Sequence, residues 1–139
     1  MDVDISKWKK LGQTSNADFY EIAPGFLAVV PFEGCTDDED TARASVGMQL
    51  AYLRPRNQRA AIIIFLDPIA QQTAGARAVY RDLPNPALQA CFALVGGTLF
   101  GRAVGSLFLG LSRPKVPTQM FATLEQALAW GRGQLDRLE

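Results

Sequence analysis

Apolar positions along this chain fall into short runs that predict strands and into longer periodic stretches that predict helices. Two strand-like runs flank the turn pair Pro24-Gly25 and predict a hairpin. The run AAIIIFLD is apolar at almost every position, which is typical of a central parallel strand covered on both faces. The predicted strands lie at about 18–23, 26–32, 60–67, 88–95 and 117–121.

Four helices are predicted between and after these strands. The first has the clearest start, because Thr36 and Glu39 form a T-x-x-E capping box. The acidic residues 37–40 suit the positive end of this helix dipole, so we assign them to the helix start and predict no metal site. Arg54-Pro55 is expected to end this helix. The other helices are predicted at 73–83, 99–111 and 124–139, the last behind a second capping box of Thr123 and Gln126.

The stretch 88–111 is the most apolar part of the chain and carries a single charge, Arg102. Three glycines recur at every fourth position from Gly97, the spacing that allows transmembrane helices to pack closely. One central arginine costs a membrane span about 2.5–3.5 kcal/mol, which the many leucines and phenylalanines could offset. Cutting the stretch at Gly96-Gly97 continues the alternation of strands and helices on both sides. We therefore predict a buried strand and a separate helix, and no membrane span.

The predicted order ββαβαβαβα is that of an α/β domain with a mixed, mostly parallel sheet of about five strands and four helices. Each helix after the hairpin is a crossover long enough to return the chain to a parallel neighbour. Residues 1–16 are polar and are expected to form an N-terminal arm, with 17–139 as a single domain. The first residues lack the apolar segment of a signal peptide, so a cytoplasmic protein is expected.

Composition narrows the functional classes. The 14 basic and 14 acidic side chains balance, which gives no general attraction to nucleic acid or to an anionic membrane. The absence of histidine removes His-based catalysis and most zinc sites, and two cysteines do not form a cysteine-rich metal site. No pair of acid and base can be placed either, so an enzyme is the least favoured class and no cofactor is expected.

The ends of two predicted strands carry candidate ligand-binding residues. Gly96-Gly97-Thr98 lies between a strand and a helix, where backbone N–H groups can hold a phosphate, and Arg102 in the first helical turn could help. Asp67 ends a central strand, at the edge where open α/β sheets often bind ligands. The simpler alternatives are a tight turn for the glycines and a turn or cap residue for Asp67.

Three segments resemble the STAS domain (sulfate transporter and anti-sigma-factor antagonist), in particular the stand-alone bacterial proteins described as STAS/Sec14-like. AAIIIFLDPIAQQTAGARAVYRDL is similar to the family's third strand, switch loop and second helix. CFALVGGTLFGRAVGSLFLGL is similar to the next strand and helix, and MFATLEQALAWGRGQL to the closing strand and helix. The resemblance covers about residues 60–135 and implies a non-enzymatic regulatory module that binds a protein partner, a kinase or another regulator.

The resemblance also implies a candidate switch residue. In the anti-sigma-factor antagonists, an Asp-Ser pair followed by glycine precedes the second helix, and a partner kinase phosphorylates the serine. Here Thr73 takes the serine position, Gln72 the acidic position, and Gly75 follows. A phosphate on Thr73 would sit at a helix N-terminus, which favours negative charge. The alternative is that Thr73 is the N-cap of that helix and nothing more.

The helix predicted at 99–111 is apolar over more of its circumference than one sheet face can cover. We expect the surplus to form a homodimer or partner surface, with small glycines letting a second helix approach. The interface candidates are Phe100, Val104, Phe108 and Leu111.

Two functional classes are therefore favoured over an enzyme. The first is a protein-binding regulatory module with Thr73 as a candidate phospho-switch. The alternative is a domain that binds a small molecule, a lipid headgroup or a nucleotide through the loops at its strand ends.

Overall fold

A six-stranded mixed sheet with four helices forms the protein, as the computed structural model shows for residues 3–111 and 114–137. In one helix, the side chains of residues 100 and 107–111 lie outside this description. The strands are β1 Lys9–Gln13, β2 Ala17–Ala23, β3 Phe26–Pro31, β4 Cys35–Asp37, β5 Ala60–Phe65, β6 Ile69–Gln72, β7 Gln89–Val95 and β8 Thr118–Phe121. The helices are α1 Glu39–Arg56, α2 Ala74–Asp82, α3 Leu99–Leu111 and α4 Leu124–Asp136.

The main sheet has the order β1-β2-β3-β5-β7-β8. β1, β2 and β3 pair antiparallel, whereas β3, β5, β7 and β8 pair parallel. β4 and β6 form a separate two-stranded parallel sheet. The predicted α/β class, the mostly parallel sheet and the four helices are confirmed, with six strands in the main sheet where about five were expected.

Three strands, β1, β4 and β6, were not predicted from the sequence, because none has a simple alternation of apolar and polar residues. β1 lies within the segment predicted as an N-terminal arm, and it pairs with β2 along the edge of the sheet. Its Lys9 and Lys10 are exposed, as expected for an edge strand that avoids pairing with other molecules. β4 and β6 are only three and four residues long.

Helices cover both faces of the sheet. α1, α2 and α3 connect successive parallel strands in one direction, so right-handed crossovers place all three on the same face. That face packs around Leu53 of α1, Ile62 of β5 and Phe92 of β7. α4 packs on the opposite face, where Gly131 lets the helix approach Phe26 and Ala61; a Cβ at Gly131 would lie 3.0 Å from the Phe26 ring.

The predicted cap of α1 was wrong, whereas the other predicted caps are confirmed. Thr36 belongs to β4, where it pairs with β6. The N-cap of α1 is instead Asp38, two residues later than expected, and it forms a capping box with Thr41. Thr73 caps α2 by accepting a hydrogen bond from the Ala76 N–H at 3.1 Å. The predicted box of Thr123 and Gln126 caps α4. α1 also runs past Arg54-Pro55 to Arg56, with Pro55 in its last turn.

The apolar stretch 88–111 divides into β7 and α3, with the break at the predicted glycines. Within residues 3–111 and 114–137, no helix has both the length and the apolar character that a membrane crossing needs. The apolar residues of β7 instead pack inside the domain, and all seven positions of this strand are buried.

Candidate functional site

The ends of β5 and β7 meet around the carboxylate of Asp67. Its Oδ2 accepts the Gly97 N–H at 3.0 Å, and its Oδ1 accepts the Thr98 N–H at 3.0 Å and the Thr98 hydroxyl at 2.9 Å. The Thr98 Oγ1 accepts the Gly101 N–H in turn, which caps α3. Burial raises the pKa of Asp67, but the hydrogen bonds from Thr98 and Gly97 outweigh this effect and bring the pKa below its ordinary value.

This arrangement changes the interpretation of the predicted phosphate-binding turn. Gly97 and Thr98 offer the expected backbone N–H groups at a helix N-terminus, but these groups already donate to a carboxylate of the chain itself. Arg102 is exposed on the first turns of α3. The structure therefore brings Asp67, the glycine turn and the start of α3 together, with Asp67 in the position that an anion would need.

Gly101 and Gly105 of α3 face the rest of their own domain. A Cβ on Gly101 would collide with the Asp67 carboxylate, and one on Gly105 would lie 2.5 Å from Met120 Sδ and 2.9 Å from Leu66 Cδ1. The expectation that these glycines admit another helix was therefore wrong. They allow α3 to pack closely against its own domain, because any larger side chain would push it away.

The interface predicted on α3 is described only in part. Val104 is half-buried and faces the interior, whereas the side chains of Phe100, Phe108 and Leu111 lie outside the described part of the chain. The described outward surface of this helix includes Leu99, which is 89% exposed, and the exposed Ala103. The homodimer through α3 stays a prediction.

Thr73 lies at the surface, where β6 meets α2. Its side chain is exposed, and its backbone N–H donates to the main-chain carbonyl of Asp37 at 3.0 Å. Gly75 brings α1 close to this point, since a Cβ there would lie 3.2 Å from the Cβ of Glu39 and 3.7 Å from the Thr73 hydroxyl oxygen. The predicted switch residue therefore sits between the first turns of two helices.

Asp37 contacts residues of both α1 and α2 close to these helix starts. The sequence did not identify it as a candidate site residue. It is only 5% exposed, and its carboxylate accepts hydrogen bonds from the Thr41 hydroxyl at 2.8 Å, the Tyr80 hydroxyl at 2.8 Å and the Gln72 amide at 3.3 Å. Burial and then the Asp37 charge raise the pKa of Tyr80 well above its ordinary value, so the phenol stays a donor. Asp37 was expected at the start of α1 with the other acidic residues 37–40, but it lies in β4, one position before the Asp38 N-cap.

A shallow groove follows the outer surface where α1 packs against α2, and Gly75 at one end of it lies next to Thr73. We call it the α1–α2 groove. At one end, the exposed pair of Glu39 and Arg43 has a distance of 3.3 Å between Oε2 and Nε. At the other end, Leu83 is 39% exposed. Its lining comprises Glu39, Arg43, Gly75, Ala78, Val79, Asp82 and Leu83.

Comparison with known proteins places the chain in a family. The model of a domain of unknown function, DUF7793, matches residues 20–133. The chain belongs to the DUF7793 family. Among curated proteins, none matches this DUF7793 chain.

A solved structure supports the fold of the DUF7793 chain. It is similar to a protein of the DUF3478 family from Shewanella loihica, described as having a SpoIIAA-like fold, with a TM-score of 0.50 and 9% identity. The match covers 94% of this chain and 98% of that chain. The STAS-like architecture expected from the sequence is therefore confirmed, and at this identity the likeness concerns the fold alone.

Proposed function

We propose that this DUF7793 chain is a non-enzymatic regulatory module of STAS type, which binds a protein partner through the surface around the start of α2. Phosphorylation of Thr73 would control that binding. The observation that carries the proposal is an exposed threonine at the N-cap of α2 in a SpoIIAA-like fold. We also propose that this protein is bacterial and cytoplasmic, like the STAS proteins that it resembles.

The electrostatics around Thr73 suit a charge-operated switch. A phosphate adds about −1.5 to −2 charges at neutral pH. Attached to Thr73, it would face the N–H groups of α2 on one side and the exposed carboxylate of Glu39 on the other. The added charge would therefore alter the same surface, including the near end of the α1–α2 groove, that a partner would contact.

Ligand binding through the strand-end loops is less well supported than partner binding. The N–H groups of Gly97 and Thr98 are engaged by Asp67, so an anionic ligand would have to displace a hydrogen-bonded carboxylate. Protein binding at the start of α2 requires no such displacement, because Thr73 is exposed.

The proposal is tested with two substitutions that both preserve the helix cap. Aspartate and asparagine are comparably good N-caps, so Thr73→Asp and Thr73→Asn differ mainly in charge. Affinity capture from the native cell, quantified by mass spectrometry, should recover one partner with the wild type and Thr73→Asn and much less of it with Thr73→Asp. Melting temperatures of the two variants should agree closely.

Two results would count against this function. Equal capture by the aspartate and asparagine variants would show that charge at this position does not control binding. Protein isolated from its source under phosphatase inhibition should also carry phosphate on Thr73, and its absence under every growth condition would remove the switch.

A further inference from the structure

A second groove lies between the later turns of α1 and the strands at the β1 edge of the sheet, separate from the α1–α2 groove. We call it the edge groove. About 270 Å³ of it is wide enough for a water molecule to enter. For comparison, an apolar cavity of about 150 Å³ is enough to hold benzene. The walls of the edge groove are largely apolar and include Leu11 of β1, Phe19 of β2, Leu27 of β3, and Met48 and Tyr52 of α1.

The shape of the edge groove is connected with an irregularity in β1. Two steps along β1, from Lys10 to Gly12, match one step along β2, so Leu11 is an extra residue, as in a β-bulge. At Gly12 the helix comes close, since a Cβ there would lie 3.2 Å from Met48 Sδ. Met48 and Arg56 both line the groove, and they are roughly 12 Å apart along α1 at a rise of about 1.5 Å per residue. The groove is therefore long enough for an extended chain of several carbons.

Arg56 is held at one end of the edge groove by two contacts with Tyr52. Its guanidinium carbon lies 3.9 Å from the centroid of the Tyr52 ring, and its Nη1 donates to the Tyr52 main-chain carbonyl at 2.9 Å. A guanidinium carries several N–H groups in a planar fork that matches a carboxylate. Arg56 can therefore hold a carboxylate while it keeps its contacts with Tyr52, and a side chain that is already held in place loses little freedom on binding.

The end of the edge groove around Tyr52 has more positive than negative charge. Lys9 lies directly opposite Glu21 in the pairing of β1 with β2, so the two side chains share one face of the sheet. The Glu21 carboxylate accepts the Tyr52 hydroxyl at 3.2 Å, which shows that this face is the one that α1 covers. Lys9 and Arg56 thus give this end two positive charges against the single carboxylate of Glu21. An anionic group is therefore favoured there over a cationic one.

We propose that the edge groove binds a small carboxylate with an unbranched apolar body, whose carboxylate pairs with Arg56 and whose body lies along Leu11 and Met48. Ligand sites typically combine apolar walls with a small number of placed polar groups, and the edge groove has both. The site goes beyond the proposed function and does not depend on it. Thr73 lies beside the first turn of α1, whereas the edge groove follows the later turns of that helix.

Hexanoate is the probe, and three matched compounds each change one of its properties. Hexanol lacks the charge, hexylammonium has the opposite charge, and acetate lacks the apolar body. Each compound is titrated into the full chain at constant ionic strength over the same concentration range, and backbone amide shifts are followed by nuclear magnetic resonance.

Hexanoate should cause saturable shifts at the backbone amides of Leu11 and Tyr52. Hexanol should bind about fivefold to tenfold more weakly, because a hydrogen bond to a charged group is stronger than a neutral one and partial exposure reduces the difference. Hexylammonium should cause no saturable shift, because Arg56 and Lys9 repel it. Acetate should cause none either, because it has no apolar body to bury.

Two pairs of matched variants locate the site on α1. Ala51 lines the edge groove and Ala44 does not, and both are exposed. Ala51→Trp should obstruct the groove and abolish saturable binding of hexanoate, whereas Ala44→Trp should leave the affinity unchanged. Arg56→Gln should weaken binding about fivefold to tenfold, whereas Arg54→Gln should not change it. Both arginines lie in the last turn of α1, so both variants lose the same kind of interaction with the helix dipole.

The proposal fails if hexanoate causes no saturable shift, or if hexanol, hexylammonium or acetate binds as tightly. It also fails if the two tryptophan variants bind hexanoate equally well, or if Arg54→Gln lowers the affinity as much as Arg56→Gln. Shifts at Leu11 and Tyr52 that grow with protein concentration in the absence of any compound would show that a second copy of the chain covers the groove. That result would likewise overturn the assignment of a small carboxylate.

Discussion

Asp67 should contribute a measurable share of the stability by holding the start of α3 against the end of β5. A hydrogen bond to a charged acceptor is worth about 1.5–3 kcal/mol when it is shielded from water. Gly97 and Thr98 are exposed, so their freed N–H groups can bond to water and the net cost is smaller. For Asp67→Asn, which retains one acceptor oxygen, we expect a loss of about 1–2 kcal/mol in the free energy of unfolding.

The loss should depend on pH with a defined sign. The folded-state pKa of Asp67 is lowered, so its stabilisation is complete above the unfolded-state pKa of about 3.9. It disappears as the pH falls through the folded-state pKa. Urea unfolding followed by circular dichroism should therefore separate wild type from Asp67→Asn near pH 7 and bring them together at about pH 3 or below.

Asp82→Asn is the matched control. The Asp82 pKa is also lowered, by its hydrogen bond with Arg81, but this pair lies at the surface and should contribute much less to the free energy of unfolding. If Asp67→Asn costs no more than Asp82→Asn near neutral pH, the Asp67 carboxylate does not hold the start of α3. A difference that persists unchanged in acid would also refute the argument.

Two further predictions test the packing. A Cβ at Gly133 would meet nothing within 4 Å, so Gly133→Ala should raise the free energy of unfolding by roughly 0.5–1 kcal/mol, whereas Gly105→Ala should lower it because its Cβ would overlap Met120. Thermal unfolding of both variants would measure this opposite sign. The buried Gln89 amide donates to Gln49 Oε1 at 2.7 Å, so Gln49→Leu should cost about 1–3 kcal/mol in urea unfolding, and adding Gln89→Leu should recover part of it.

The sequence predicted the elements that bury a continuous or periodic apolar pattern. β5 and β7 are buried at nearly every position, and apolar runs of that kind leave little choice of structure. The caps of α2 and α4 followed from local chemistry, because a threonine side chain and the N–H three residues later meet within one turn.

Features that depend on long-range contacts were less accessible to sequence reasoning. Thr36 and Asp38 both suit a helix cap, and the pairing of β4 with β6 decides between them. Asp67 was identified as a strand-end residue, but its bonds to Gly97 and Thr98 bridge about thirty positions of sequence. The same holds for Asp37, whose partner Tyr80 lies 43 residues away.

The placement of α4 alone on the second face of the sheet has a consequence during synthesis on the ribosome. Ala61, Ile63 and Phe65 of β5 and Cys91 and Ala93 of β7 pack on the side that α4 covers. α4 follows β8 in the chain, so every strand is translated before this face can be covered. Until then the nascent sheet exposes a row of apolar side chains, the kind of surface that holds chaperones and seeds aggregation. A stalled or prematurely terminated chain that ends before Leu124 should therefore be captured by chaperones, whereas the chain with α4 should be released.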